Sequence, residues 1–348
     1  MQQRWMIFFG CLMTVLFTLI GCVPSRQQHA DYEAASKPLY RDPVYDGAAD
    51  PVVVYNKQER KWFMFYTNRR ANLPTINGFN WVHGTHIGIA ESLNGGRTWS
   101  YRDTARINLP SSGQVTLWAP EVVEHKGLYH MFLTLVPGIY EDWGHTSEIV
   151  HLTSKNLLDW TFISTISLQS ERVIDACVYQ MNDGNWRMWY KDERKGSAIY
   201  YANSPDLFKW NVVEKAVSDR PAEAPVVFNW KGRYWMLVDP WNGIGVYSSN
   251  DLIKWDRQEK GILTEPGTGL DDNVRGSHPD VVVKGNRAFI FYFTHPGRVE
   301  GQQSWDYYAQ RRSSLQVAEL EYKEGQLVCN RNKPVFIQLD PKSDKKGR

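Results

Sequence analysis

Cysteine is scarce, with four in 348 residues. Cys11 and Cys22 lie at the N-terminal end, leaving Cys177 and Cys329, too few for the disulfide framework of a small secreted scaffold. No Cys and His spacing resembles a metal-ligand set. Cys177 falls in an apolar strand pattern, which suits a buried free thiol as well as a bridge to Cys329. A dominant charge is also missing: 40 Lys and Arg stand against 38 Asp and Glu, a formal charge of +2. The basic residues are scattered, so the chain has no electrostatic footprint for nucleic acid. No long amphipathic helical pattern appears, which disfavours a helical or α/β architecture.

Aromatic residues are abundant: 15 Trp, 18 Tyr and 14 Phe. They suit β-strands, and they suit a site that stacks on ring-shaped ligands, of which carbohydrate is the obvious class. With 42% hydrophobic residues the chain can bury a large core, as two ordinary domains or one large all-β domain.

The N-terminal residues carry a targeting pattern. Arg4 precedes the apolar run Trp5 to Ile20, which is short for a membrane span and is followed by polar residues Ser25 to Ser36. Leu19-Ile20-Gly21-Cys22 resembles the bacterial lipoprotein processing site. That resemblance implies a signal peptide over 1–21, lipidation of Cys22 and a polar tether over 22–38. The domain over 39–348 would then sit at the cell envelope, periplasmic or outer-membrane-associated, touching the membrane through its lipid anchor alone.

The rest of the chain repeats one phrase five times: an apolar strand opening beside Asp, Glu or His, a short turn, then an aromatic strand. The copies begin at Asp50, Ala119, Asp175, Glu223 and His278, and their turns carry Gly or charged residues, as hairpins require. After each of the first four copies comes a second phrase, a short strand and a turn running from Ser92, Ser154, Ser204 or Ser249 to Trp99, Trp160, Trp210 or Trp255. Its Ser and Asn or Asp close the turn and its Trp packs between sheets, a structural role. Four strands per unit at a period of roughly 45 to 70 residues predict an all-β, five-bladed β-propeller. Leu315 to Leu320 and Leu327-Val328 complete the fifth blade.

Inserts over 68–85, 107–117, 137–147 and 264–277 interrupt the repeat. Insertions in repeat folds gather on one face, often the binding face, so Trp81, His83, Trp118, Trp143, His145 and Arg275 are candidates to line a pocket. The first strand of every propeller blade lines the central channel, so the strand openings converge. Asp50, Asp175 and Glu223 occupy matching places in three repeats on this reading. Facing carboxylates suit glycoside hydrolysis, one donating a proton and the other activating water, with a third tuning the acid.

Asp50-Pro51, Ile174-Asp175-Ala176 and Glu223-Ala224-Pro225, with Trp118-Ala119-Pro120-Glu121, are similar to glycoside hydrolase family 43, where the last position is more often Asp. The resemblance spans about Tyr40 to Leu320. It implies a five-bladed inverting glycosidase in which Asp50 is the general base, Glu223 the general acid and Asp175 the residue that orients the acid and tunes its pKa. It implies substrates such as arabinofuranosyl, xylosyl or galactosyl units. His278 sits where the family often has a central His near calcium or bound waters, so a structural calcium held through water is the metal implied and no cofactor is required for turnover. Asp42-Pro43 is a rival to Asp50, which is favoured by the full apolar strand that follows it. Trp81, Trp118, Trp143, Arg275 and His278 are the expected substrate contacts. The alternatives are a non-catalytic glycan-binding propeller, or a related five-bladed enzyme such as an anhydrogalactosidase or a glycoside phosphorylase. A sialidase, suggested by the turn Ser92 to Trp99, would need an arginine cluster that the sequence does not assemble.

Overall fold

The computed structural model describes Met1 and residues 33–110, 113–299 and 305–341. The expected signal, Cys22 and most of the tether lie outside the described residues. Residues from Ala34 onward form one compact unit, a five-bladed propeller. Ala35 to Pro38, assigned to the tether by sequence, belong to this unit: Ala35 N–H donates to Val335 O (2.8 Å), and Lys37 pairs with Asp272 (2.8 Å).

Blade 1 consists of β1 (Ala48–Asn56), β2 (Lys61–Asn68), β3 (His86–Ser92) and β4 (Ser100–Thr104). The short β5 (Arg106–Asn108) pairs in parallel with the edge of blade 2, which holds β6 (Val115–His125), β7 (Leu128–Pro137), β8 (Glu148–Ser154) and β9 (Asp159–Thr165). Blade 3 is β10 (Val173–Gln180), β11 (Trp186–Asp192), β12 (Ala198–Ser204) and β13 (Asn211–Val217). Blade 4 is β14 (Glu223–Trp230), β15 (Arg233–Asp239), β16 (Gly245–Ser249) and β17 (Asp256–Arg257). Blade 5 is β18 (Ser277–Lys284), β19 (Arg287–Thr294), β20 (Ser314–Lys323) and β21 (Gln326–Cys329).

The repeated turn is built as its residue types dictate. In blades 2 to 4 the Oγ of Ser154, Ser204 or Ser249 accepts the N–H of the third residue on, at 2.9 Å in each case. That residue is Leu157, Leu207 or Leu252, held at φ of 65°, 71° and 64°, and its side chain is buried. The Trp that ends each turn packs on the aromatic second strand of the preceding blade: Trp160 on Phe65, Trp210 on Phe132, Trp255 on Trp189 and Trp99 on Phe291. Apolar burial along these seams is what joins blade to blade. Cys177 and Cys329 are both free thiols.

The innermost strands share a second device. Each is broken by a β-bulge in which two residues face one on the neighbouring strand, at Asp50-Pro51, Ala119-Pro120, Asp175-Ala176, Ala224-Pro225 and His278-Pro279. Proline fits the second position because a bulged residue gives up its ladder hydrogen bond. The first position is left-handed in all five, with φ of 52°, 46°, 59°, 52° and 39°. Such backbone is strained for residues other than glycine and persists only where surroundings hold it. Here neighbouring blades do so. Thr67 Oγ1 accepts from Ala119 N–H (2.8 Å), Thr134 Oγ1 from Asp175 N–H (3.1 Å), Asp175 Oδ2 from Ala224 N–H (3.0 Å) and Asp239 Oδ2 from His278 N–H (2.9 Å).

Candidate active site

The five bulges surround the axis beneath a cavity of about 390 Å³. Asp50, Asp175, Glu223 and His278 all line it, so residues up to 228 positions apart in sequence meet on one wall. Register corrects one detail of the sequence reading. Asp50 and Asp175 are the first residues of their bulges, as are Ala119, Ala224 and His278, whereas Glu223 stands one residue earlier, level with Ala49, Trp118, Ile174 and Ser277. The places do not match. A one-residue step turns a side chain to a different direction, so Glu223 shares a ring with Trp118 rather than with the two aspartates.

Asp50 is buried, and burial alone would raise its pKa. The charges of Arg69 and His278 outweigh that and hold it below the usual carboxylate value. Arg69 Nη2 lies 3.0 Å from Oδ1 and 3.3 Å from Oδ2, and His278 Nδ1 lies 3.3 Å from Oδ1. The rival Asp42 is elsewhere: its Oδ1 caps the N–H groups of Val44 and Tyr45, and its Oδ2 accepts from Tyr66. Asp175 is raised to about 7 by burial and by the charges of Glu223 and Asp50, against the opposing pull of His278 and Lys191. Asp239, at the end of β15, is likewise raised to about 7 by burial and by Glu223. Glu223 Oε2 is 2.9 Å from Lys191 Nζ, which also meets Glu193 at 3.4 Å. Asp175 and Asp239, both raised in this way, are the carboxyl groups of the wall that hold a proton near neutrality.

Trp118 and Trp143 line the cavity as expected, as do His83 and His145. Trp118 Nε1 donates to Val82 O (2.7 Å), and the two indoles lie 5.8 Å apart. Trp81 is not on the wall: the 3-10 turn Asn80–Val82 points it inward, 1% exposed, behind Trp305. Arg275 is also absent from this wall and borders a neighbouring cavity of about 800 Å³. Glu121 lies below the bulge ring, where it accepts the N–H of Val178 (2.9 Å) and burial pushes it up to about 8. Among the described residues no three His, Cys, Asp or Glu side chains are grouped to hold a metal ion.

Sequence reasoning missed Arg69, Lys191, Asp239, Trp241, His295, Arg298 and Trp305, all on the cavity wall. Lys191 and Asp239 were findable: Asp239 is the last residue of β15 and Lys191 the last but one of β11, each opposite the residue just before a bulge, at Ile174↔Lys191 and Glu223↔Asp239. Arg298 and Trp305 lie between β19 and β20, where no repeated pattern marks them.

No curated protein matches the chain in sequence. Solved structures match in fold. A thermostable family-43 glycoside hydrolase aligns with a TM-score of 0.61 and 19% identity, over 85% of this chain and 97% of that one. A family-43 β-1,3-galactosidase with galactodeoxynojirimycin aligns at 0.63 and 13%, over 86% and 99%. A Xanthomonas citri family-43 enzyme complexed with xylose aligns at 0.63 and 14%, over 86% and 94%. A family model described as a probable glycosyl hydrolase domain, related to family 43, matches residues 38–268, from the segment before blade 1 past the last strand of blade 4. The chain belongs to this family-43-related group of probable glycosyl hydrolases.

Proposed function

We propose that the protein is an exo-acting, inverting glycosidase that removes a terminal sugar from an oligo- or polysaccharide, with Asp50 as general base, Glu223 as general acid and Asp175 as the residue that positions the acid. The observation that carries this reading is the unequal environment of carboxylates on one cavity wall. Asp50 is held ionised by Arg69 and His278, as a base that activates water must be. Asp175 and Asp239 crowd around Glu223 and are pushed up by burial and its charge, which keeps protons in that part of the site. Glu223 lies beside Asp175 and Asp239, and the contrast of that side of the site with Asp50 is the basis for naming Glu223 the acid and Asp50 the base.

Asp175 acts through backbone. Its Oδ2 accepts the N–H of Ala224, the residue that follows Glu223, and so fixes the strand opening that carries the acid. Lys191 Nζ donates to Glu223 Oε2 at 2.9 Å and so positions the carboxyl. As general acid, Glu223 gives a proton to the leaving oxygen as the glycosidic bond breaks. A water held by Asp50 then attacks the anomeric carbon from the other face, and Asp50 takes its proton. Trp118 and Trp143 supply apolar ring faces for the sugar.

A panel of aryl glycosides and oligosaccharides tests the assignment. Glu223→Gln should lower kcat/KM by roughly 10²–10⁴ with the folded state intact, and NMR of the first product should show an inverted anomeric centre. A fully active Glu223→Gln enzyme would remove the acid assignment, and retention would make Asp50 a nucleophile. Sugar binding with no cleavage across the panel would replace the catalytic reading with a glycan-binding one.

A further inference from the structure

The cations of the catalytic cavity are not equivalent. Arg69 is spent on Asp50, and its Nη1 lies 3.3 Å from His295 Nε2. Lys191 is spent on Glu223 and Glu193. Arg298 has no carboxylate partner among the described residues. Its Nε donates to Gln310 O (2.8 Å), its guanidinium carbon lies 3.3 Å from the centroid of Trp305 and 5.9 Å from that of Trp81, and its Nη2 is buried without an acceptor. Arg298 is half-buried as a whole, and burial together with the nearby charge of Arg69 drives its pKa well below the usual arginine value.

A half-buried cation with no countercharge among the described residues is costly to hold, and the unmade hydrogen bond of its buried Nη2 adds to the penalty. The cation stays charged because a guanidinium is very hard to deprotonate. Trp305 and the Gln310 carbonyl fix its plane, so the fork is preorganised for something that arrives later. Arg298 also stands where the catalytic cavity joins the cavity of about 800 Å³ bordered by Arg275 and Glu265: both are lined by Trp241, His295, Arg298 and Trp305. A ligand reaching the carboxylates must pass this junction or fill it. A planar fork of N–H donors on a cavity wall matches an oxyanion better than a lone hydroxyl.

We propose that Arg298 receives an anionic substituent of the substrate, a uronate carboxylate or a sulfate ester, so that the enzyme selects acidic glycans over neutral ones. Glu265, which faces the outer cavity, confines the anion to the Arg298 side of the junction, and Arg69 adds positive potential there. The inference rests on the proposal that the cavity takes a glycan, and it refines which glycan.

Calorimetric titration with matched sugars separates the two ideas. Glucuronate against glucose and galacturonate against galactose test the carboxylate, and galactose 6-sulfate against galactose tests the ester, with the aryl glycosides of the same sugars assayed for turnover. At least one acidic sugar should bind roughly ten- to a hundredfold more tightly than its neutral partner, the worth of one charge-assisted hydrogen bond. The acid-to-neutral ratio should fall towards one in Arg298→Gln and be partly kept in Arg298→Lys. Which arm shows the preference identifies the substituent. Equal affinity for acidic and neutral sugars in the wild type overturns the inference whatever the variants do, and so does a ratio that survives Arg298→Gln. Turnover of neutral glycosides without that preference leaves the glycosidase reading intact. A preference for acidic sugars without turnover of any glycoside supports the inference and sinks the catalytic reading instead.

Discussion

A carboxylate serves as a base only while ionised, and in a water-poor pocket that depends on its neighbours. For Asp50 the neighbours are Arg69 and His278, whose charges reverse what burial would do. Replacing Arg69 by Met removes one of the two. The pKa of Asp50 must then rise, and the acidic limb of kcat/KM against pH should move to higher pH, with the largest loss of rate below neutrality. A pH–rate profile checks this, and an unmoved acidic limb would assign it to a different group. Asp50 could be found in the sequence because an Asp-Pro opening and a full apolar strand mark it. Arg69 could not, because it follows the end of β2 at the start of an unpatterned insert and reaches the site only through the fold. Arg298 escaped for the same reason. The arginine pair that sequence could not assemble is made by segments far apart in the chain, Arg69 after β2 and Arg298 after β19.

At the scale of elements, the hairpins and the Trp turns were legible because each residue type has a local reason to be there: glycine in the turn, Ser and Asp or Asn closing a loop, alternating apolar strands. Register was not, because a bulge adds a residue without altering the apolar pattern, and this is what placed Glu223 one position from where matching the repeats had put it. The bulges are held by cross-blade acceptors, and these link stability to catalysis. Thr134 Oγ1 accepts the N–H of Asp175, whose carboxylate accepts the N–H of Ala224 beside Glu223. Thr134→Val keeps the shape and removes the acceptor, leaving a buried donor unmatched at about 1–3 kcal/mol. Denaturant unfolding should show a loss of that size. Because the acid's backbone anchor loosens, kcat should fall more than KM rises. An equal loss of stability with kcat untouched would make the chain from Thr134 to Glu223 purely structural.

At the scale of the whole molecule, a ring of blades must be closed, and this chain closes it with segments from both ends of the described unit. Leu39 and Tyr40 N–H groups donate to Leu315 O on blade 5, while the segment over 335–340 runs along blade 1, where Leu339 N–H donates to Gly95 O (2.9 Å) and Trp62 Nε1 to Asp340 Oδ1 (3.1 Å). The blade 1 turn differs from the others for this reason. Gly95 and Gly96 take φ of 69° and 91°, and a Cβ on Gly96 would sit 3.0 Å from Leu339 Cδ1, so glycine lets the closing segment lie against the turn. Val335, Ile337 and Leu339 join Leu39, Tyr40, Met64 and Phe291 in one apolar cluster that spans the first and last blades. Ile337 and Leu339 are 1% and 0% exposed. Truncating each to Ala should cost roughly 2–5 kcal/mol, a large share of the roughly 5–15 kcal/mol that holds a typical protein folded. The double variant Ile337→Ala/Leu339→Ala should therefore melt far below the wild type, and it should do so as one transition, because an open ring exposes the seams of blades 1 and 5 together. Val213→Ala, at a site 48% exposed on an outer strand, is the control and should change little. Melting that matches the control would show that the ring is held by its blade-to-blade seams alone, with the 335–340 segment merely resting on blade 1.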